Sequence, residues 1–166
     1  MDTRQNRCFD PVCPALPVLQ TADQQICAEL ADSLARHDVG TANFDSTMIA
    51  SMLIGSQHLR RLALKYHADI NDILAGQGAD VMARAEQDFR DEMDKASTES
   101  DAMMAIRRWR GRSCLTVALS DIAGLCDMQT QMVWLSRAAD IALTTNLAYL
   151  MNRADVRGKI NPVAET

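Results

Sequence analysis

Aromatic side chains are scarce in this chain of 166 residues, because phenylalanine, tyrosine and tryptophan together make up only 4% of it. Leucine, isoleucine, alanine and ten methionines must therefore fill most of the interior. Leucine, alanine and methionine lose little rotamer freedom in a helix, so this composition favours closely packed helices over other folds.

Proline is absent from residues 18–161, and the four prolines of the chain lie outside that span. Because proline costs roughly 3 kcal/mol inside a helix, a long proline-free span is typical of helical packing. No segment alternates apolar and polar residues for long enough to predict strands. The sequence therefore predicts a single all-α bundle of about six or seven helices. The last two should be long and antiparallel, since only a few residues connect them.

Long apolar runs are also missing, and no run approaches the ~20 residues that cross a bilayer. The N-terminus has no apolar stretch long enough for a secretion signal. The net charge of −5 gives no general affinity for nucleic acid or anionic lipid. We therefore expect a cytoplasmic protein with neither a nucleic-acid nor a membrane partner.

The chain lacks a recognisable constellation for catalysis, cofactor binding or metal binding. Its three histidines, His37, His58 and His67, do not stand at a metal-binding spacing, and its glycines are isolated and form no phosphate loop. Five cysteines do not pair evenly, and we interpret Cys8 and Cys13 as reduced thiols without a role. We predict no catalytic, cofactor-binding or metal-binding residue in these 166 residues.

Three regions are expected along the chain: an extended, proline-containing leader at residues 1–20, a helical domain at residues 21–152 and a linker at residues 153–166. Within the domain, Ser46 should cap a short helix, while Gly76 and Gly78 should both end another. Thr98 with Asp101 should open the long penultimate helix.

Asp127 should cap the last helix, whose apolar side chains recur every three or four residues. This stripe is expected to pack inside the bundle, and the alternative is coiled-coil dimerisation. Its members are Met132, Leu135, Ala139, Ala142, Leu143, Asn146 and Leu150.

The polar feature that best fits a specific binding role is the arginine cluster Arg107, Arg108, Arg110 and Arg112. Guanidinium groups bind carboxylates and phosphates in bidentate fashion. These arginines are candidates for contact with a partner, a nucleotide or a neighbouring domain. The simpler alternative is ion pairing with the acidic helix around residues 80–94.

Two stretches together resemble the glutamine synthetase adenylyltransferase/adenylyl-removing enzyme family. Residues 54–74 contain a Gly-Ser turn followed by Leu-x-x-Leu-x-Leu, and residues 105–150 contain an arginine-rich helix start, an Asp-Ile-Ala-Gly stop and a Leu-Ser-x-x-Ala-Asp helix. The matching positions of the second stretch are Arg107, Arg108, Arg110, Arg112, Asp121, Ile122, Ala123, Gly124, Leu135, Ser136, Ala139 and Asp140.

This resemblance implies a bacterial, bifunctional parent enzyme that transfers AMP from ATP to glutamine synthetase and removes it again under control of the PII protein. ATP and Mg²⁺ would be bound by a nucleotidyltransferase core, for which residues 153–166 would be the linker. The present chain would be the non-catalytic helical portion that precedes this core and would act as a scaffold or partner-contact region. The alternative is a stand-alone helical adaptor without enzymatic activity.

Overall fold

The computed structural model describes residues 21–156, which form seven α-helices and no strand. The predicted leader and residues 157–166 of the predicted linker lie outside this part of the chain. The helices are α1 (Thr21–Ala35), α2 (Ser46–Leu53), α3 (Gln57–Lys65), α4 (His67–Leu74), α5 (Gly78–Lys95), α6 (Glu99–Ile122) and α7 (Met128–Val156). The predicted all-α bundle is thereby confirmed. Residues 153–156, which the sequence assigned to the linker, continue α7.

The two longest helices, α6 and α7, pack antiparallel. The Gln131 side chain donates a hydrogen bond to Asp121 (2.6 Å), and the Trp109 indole donates to the carbonyl oxygen of Ala138 (3.0 Å). The start of α7 therefore lies beside the end of α6, and later residues of α7 lie beside earlier residues of α6. The short connection accounts for this arrangement, since it leaves the chain no room to cross the bundle.

Helix α6 lies at the centre because it contributes to both hydrophobic clusters of the described residues. Its second half packs Leu115 and Leu119 against α1–α4 and the start of α5. Its first half packs Ala105 and Trp109 against α5 and α7. The ring of Phe89 stacks on that of Trp109, with ring centroids 5.8 Å apart. This aromatic pair therefore joins α5 to α6 within the second cluster.

Helix starts follow the predicted chemistry at two of three positions. Thr98 and Asp101 form a reciprocal capping box, and Asp127 accepts a hydrogen bond from the Thr130 N–H (2.7 Å). The predicted cap at Ser46 is wrong. Asp45, one residue earlier, accepts from the Met48 N–H (2.7 Å), and Ser46 is the first helical residue. A carboxylate at this end of a helix also interacts favourably with the helix dipole.

The two glycines between α4 and α5 have different roles. Gly76 has a φ of +83° and forms the turn after α4, as expected. The prediction that Gly78 also ends α4 is wrong, because Gly78 begins α5. A Cβ on Gly78 would lie 2.9 Å from Cη2 of Trp134 and 3.1 Å from Oγ of Ser120. Gly78 therefore allows α5, α6 and α7 to approach one another closely.

Candidate interaction surfaces

The structure divides the predicted arginine cluster, and Arg112 is its most enclosed member. Its guanidinium forms a bidentate pair with Asp69 of α4 (2.8 and 2.9 Å) and a further bond to Asp88 of α5 (2.6 Å). The side chains of Arg112 and Asp69 are only 17% and 13% exposed. Burial by itself would lower the pKa of Arg112, but the hydrogen bonds and negative charges of the two aspartates outweigh it and raise that pKa. Arg112 therefore joins three helices.

Arg108 is also paired, since its Nε lies 3.0 Å from a carboxylate oxygen of Glu92 on α5. The alternative of ion pairing with the acidic helix is thus realised at Arg108 and Arg112. These two arginines line a cleft of about 270 Å³ together with Lys65. Because the carboxylates there already bind the two arginines, the cleft is an internal ion-pair network rather than an open ligand site.

Arg107 and Arg110 have different surroundings from the other two arginines. Both are exposed on α6, and neither forms an ion pair with any residue of 21–156. Met103 and Met104, 45% and 44% exposed, lie one turn earlier on the same helix. Arg107 and Arg110 are therefore the two members of the cluster that remain accessible to a partner.

A second ion-pair network, which the sequence analysis did not identify, connects α5 with α7. Glu86 accepts hydrogen bonds from Arg90 on its own helix (2.9 Å) and from Arg137 on α7 (3.0 Å). Burial alone would raise the pKa of Glu86, but the two arginines overcome this and hold the pKa below its usual value of 4.5. The pairing between residues 86 and 137 has no local sequence signal, because 51 positions separate them.

The outward face of α7 is the largest unexpected feature. Eight large apolar side chains on this face are 50–74% exposed: Met128, Met132, Val133, Leu135, Leu143, Leu147, Leu150 and Met151. The inward face instead carries Trp134, Ala138, Ile141 and Tyr149. The prediction that the Met132–Leu150 stripe packs inside the bundle is therefore wrong at its exposed members, which are Met132, Leu135, Ala139, Leu143 and Leu150. Apolar residues lie on both sides of α7, so periodicity alone did not identify the buried side.

The described residues form no group of three or more histidine, cysteine, aspartate and glutamate side chains that could hold a metal ion. His37 and His67 are stacked with ring centroids 3.9 Å apart, an arrangement that the sequence spacing did not reveal. His58 lies on α3, exposed. Cys8 and Cys13 fall outside the described residues. None of the helices in the described part of the chain has the length and apolar character needed to cross a membrane.

Over residues 21–156, fold and surfaces together define an all-α bundle with internal ion-pair networks, an accessible arginine pair and a broad apolar helix face. Two curated relatives are similar to part of it. Both carry the name bifunctional glutamine synthetase adenylyltransferase/adenylyl-removing enzyme. The protein from Xanthobacter autotrophicus is 34% identical over 67 residues, and that from Bartonella henselae is 32% identical over 68 residues.

The aligned segments cover 40% and 41% of this chain but only 7% of each relative. No family model and no solved structure matches the chain. The resemblance to glutamine synthetase adenylyltransferases that the sequence motifs predicted is confirmed by these two relatives.

Proposed function

We propose that this chain is a helical portion of a bifunctional enzyme that adenylylates and deadenylylates glutamine synthetase in bacterial nitrogen regulation. The observation that carries the proposal is the similarity to the two relatives of that name. The helical fold supports it, because the motifs that resemble the family lie on α3, α6 and α7 as helices and helix ends.

In this proposal the chain is a scaffold and performs no chemistry itself. Two of its ion-pair networks hold helices together: Arg112 pairs with Asp69 and Asp88, and Glu86 pairs with Arg137. Binding of ATP and Mg²⁺, and the transfer or removal of AMP, would belong to a nucleotidyltransferase core elsewhere in the parent enzyme. Mg²⁺ would stabilise the charge that develops during nucleotidyl transfer there.

Arg107 and Arg110 are proposed as the contact for an acidic surface of glutamine synthetase, of the PII protein or of the core. Their exposure and their lack of an ion pair within residues 21–156 support this role. Arg108 and Arg112 instead hold α6 in place through their ion pairs with α4 and α5.

A stand-alone helical adaptor is the second candidate. The exposed apolar face of α7 favours it, because large exposed apolar surfaces commonly bind a partner. An adaptor would bind without any effect on adenylyl transfer. The two functions are therefore separated by an activity measurement.

A graft provides that measurement. The helical region of the Xanthobacter autotrophicus enzyme that contains the aligned segment is replaced by residues 21–156, and release of AMP from adenylylated glutamine synthetase is measured with phosphate and Mg²⁺. We expect the graft to restore activity that deletion of this region abolishes, and we expect no release by the isolated chain. A graft as inactive as the deletion, although folded and soluble, would refute the scaffold function.

A further inference from the structure

A groove of about 700 Å³ lies between the end of α5 and the last turns of α7. Its volume falls within the range of about 300–1,000 Å³ that is typical of sites for small molecules. Residues of α5 and of the turn after it form one wall, and α7 side chains spaced three or four residues apart form the other. The groove is separate from the cleft at Arg108 and Arg112, whose charges are already paired.

Arg153 places a partly buried positive charge in this groove, and no carboxylate of residues 21–156 forms an ion pair with it. Its guanidinium donates a hydrogen bond to the Tyr149 hydroxyl (2.5 Å) and lies 5.8 Å from the centre of the Tyr149 ring. These contacts hold the guanidinium in place and use only part of its N–H donors. Because the planar guanidinium matches the geometry of carboxylates and phosphates, Arg153 is suited to bind either anion.

Other polar atoms in the walls of the groove are also available. Thr145 lines the groove, and its buried hydroxyl oxygen has no hydrogen-bond partner within the described part of the chain. The neighbouring Thr144 hydroxyl instead donates to the carbonyl oxygen of Asp140 (2.8 Å), which is the usual arrangement for threonine within a helix. On the opposite wall, Arg90 donates to Glu86 through Nε and Nη2, so that Nη1 takes no part in this pair. The two walls therefore offer donors to a ligand that is rich in acceptors.

Apolar side chains and a carboxylate define the ligand class further. Met93, Ala148 and the Tyr149 ring line the groove and favour an organic ligand over a bare inorganic ion. Asp94 also lines the groove and would repel a second anionic group. Its carboxylate can accept hydrogen bonds from hydroxyl groups of a ligand. The groove therefore fits a single anionic group with hydroxyl groups beside it.

We propose that the groove between α5 and α7 binds a small organic anion with one phosphate or carboxylate group and neighbouring hydroxyl groups. Arg153 binds the anionic group, the Thr145 hydroxyl supplies a further hydrogen bond, and Asp94 accepts hydrogen bonds from the ligand hydroxyls. Such a site would serve a helical portion of an enzyme and a stand-alone adaptor alike. Because the ligand contacts both α5 and α7, its binding should also raise Tm.

Titration of the full chain of 166 residues, followed by two-dimensional ¹H–¹⁵N NMR, tests this site. The probes are glycerol 3-phosphate and glycerate, which both carry hydroxyl groups and differ in the anionic group. Glycerol is the uncharged control. We expect saturable binding of at least one probe at about 1 mM, a modest affinity for ligands of this size, with shifts at Thr145, Tyr149 and Asn152. The probe that binds more tightly identifies the anionic group.

Arg153→Gln should weaken this binding at least about tenfold, because hydrogen bonds to a charged group are stronger than neutral ones. Arg61→Gln removes the same charge from an exposed position on α3 and is the matched control, which should stay within about twofold of the wild type. Thr145→Val should weaken binding about threefold without lowering Tm, since the hydroxyl has no partner in the unliganded chain.

Three results would each overturn the proposal. The first is no saturable binding of either anion, and the second is binding of glycerol that is as tight as that of the anions. The third is equal weakening by Arg153→Gln and Arg61→Gln, because the anions would then respond to the overall charge of the chain and not to this groove. Circular dichroism of each variant shows that it is folded, so that a loss of binding reports on the groove.

Discussion

Replacing Arg112 by methionine should destabilise the bundle more than the loss of any other arginine of the cluster. The substitution keeps much of the aliphatic length but removes three hydrogen bonds and leaves Asp69, 13% exposed, without its counter-ion. Removing one partner of a buried pair costs about 3–5 kcal/mol. Because this pair keeps some solvent contact, we expect about 3 kcal/mol, at the lower end. Asp88 adds little, since its side chain is 62% exposed.

Thermal and urea unfolding, followed by circular dichroism at 222 nm, measures this loss. At about 2–4 °C per kcal/mol for a chain of this size, Arg112→Met should lower Tm by about 6–12 °C. Arg107→Met is the matched control on the same helix and should stay within about 0.5 kcal/mol of the wild type. Adding Asp69→Asn to Arg112→Met should recover part of the loss, because no unpaired carboxylate then remains. The reasoning fails if Arg112→Met is no more destabilising than Arg107→Met.

Three further predictions concern positions in other parts of the bundle. Gly78→Ala should lower the free energy of unfolding by about 2 kcal/mol, because the new Cβ would overlap the Trp134 ring. Gly55→Ala is the control and should be close to neutral, because its Cβ would meet nothing within 4 Å. Urea unfolding midpoints of the two variants measure the difference, and equal midpoints would contradict the role of Gly78. Glu86→Gln should destabilise by about 1 kcal/mol at pH 7. The pKa of Glu86 is depressed in the folded state, so the stability that its charge contributes is full above the ordinary value of 4.5 and is lost as the pH falls below it. The free energies of unfolding of the wild type and Glu86→Gln should therefore converge between pH 7 and pH 3. A difference that stays constant over this range would contradict the role of the Glu86 charge. Thr98→Ala should cost about 1 kcal/mol through loss of the capping box, and an unchanged Tm would show that the cap is dispensable.

Local chemistry was sufficient to predict the helices. The proline-free span is read directly from the sequence. The caps at Thr98 and Asp127 each involve residues within one turn, so they can be predicted from neighbouring positions. The error at Ser46 has the same local character, because Asp45 is an equally suitable cap one position earlier. The error at Gly78 does not, since its close neighbours Ser120 and Trp134 are distant in the chain.

The surfaces were harder to predict because they depend on which helices pack together. Four adjacent arginines are chemically alike in the sequence, and only the placement of Asp69, 43 positions from Arg112, separates a structural arginine from the accessible pair. Helix α7 carries apolar side chains on both faces, so its period is helical whichever side is buried. Which side faces the bundle is decided by Trp134 and Ile141 in the second hydrophobic cluster.

The account as a whole depends on whether this helical bundle supports the chemistry of the parent enzyme. The most direct measurement is the rate of AMP release from adenylylated glutamine synthetase by the Xanthobacter autotrophicus enzyme, by the same enzyme without the helical region that contains the aligned segment, and by the graft that carries residues 21–156 in place of that region. We predict that the graft restores the release that the deletion abolishes. A graft that is folded and soluble but releases no more AMP than the deletion would contradict the central claim.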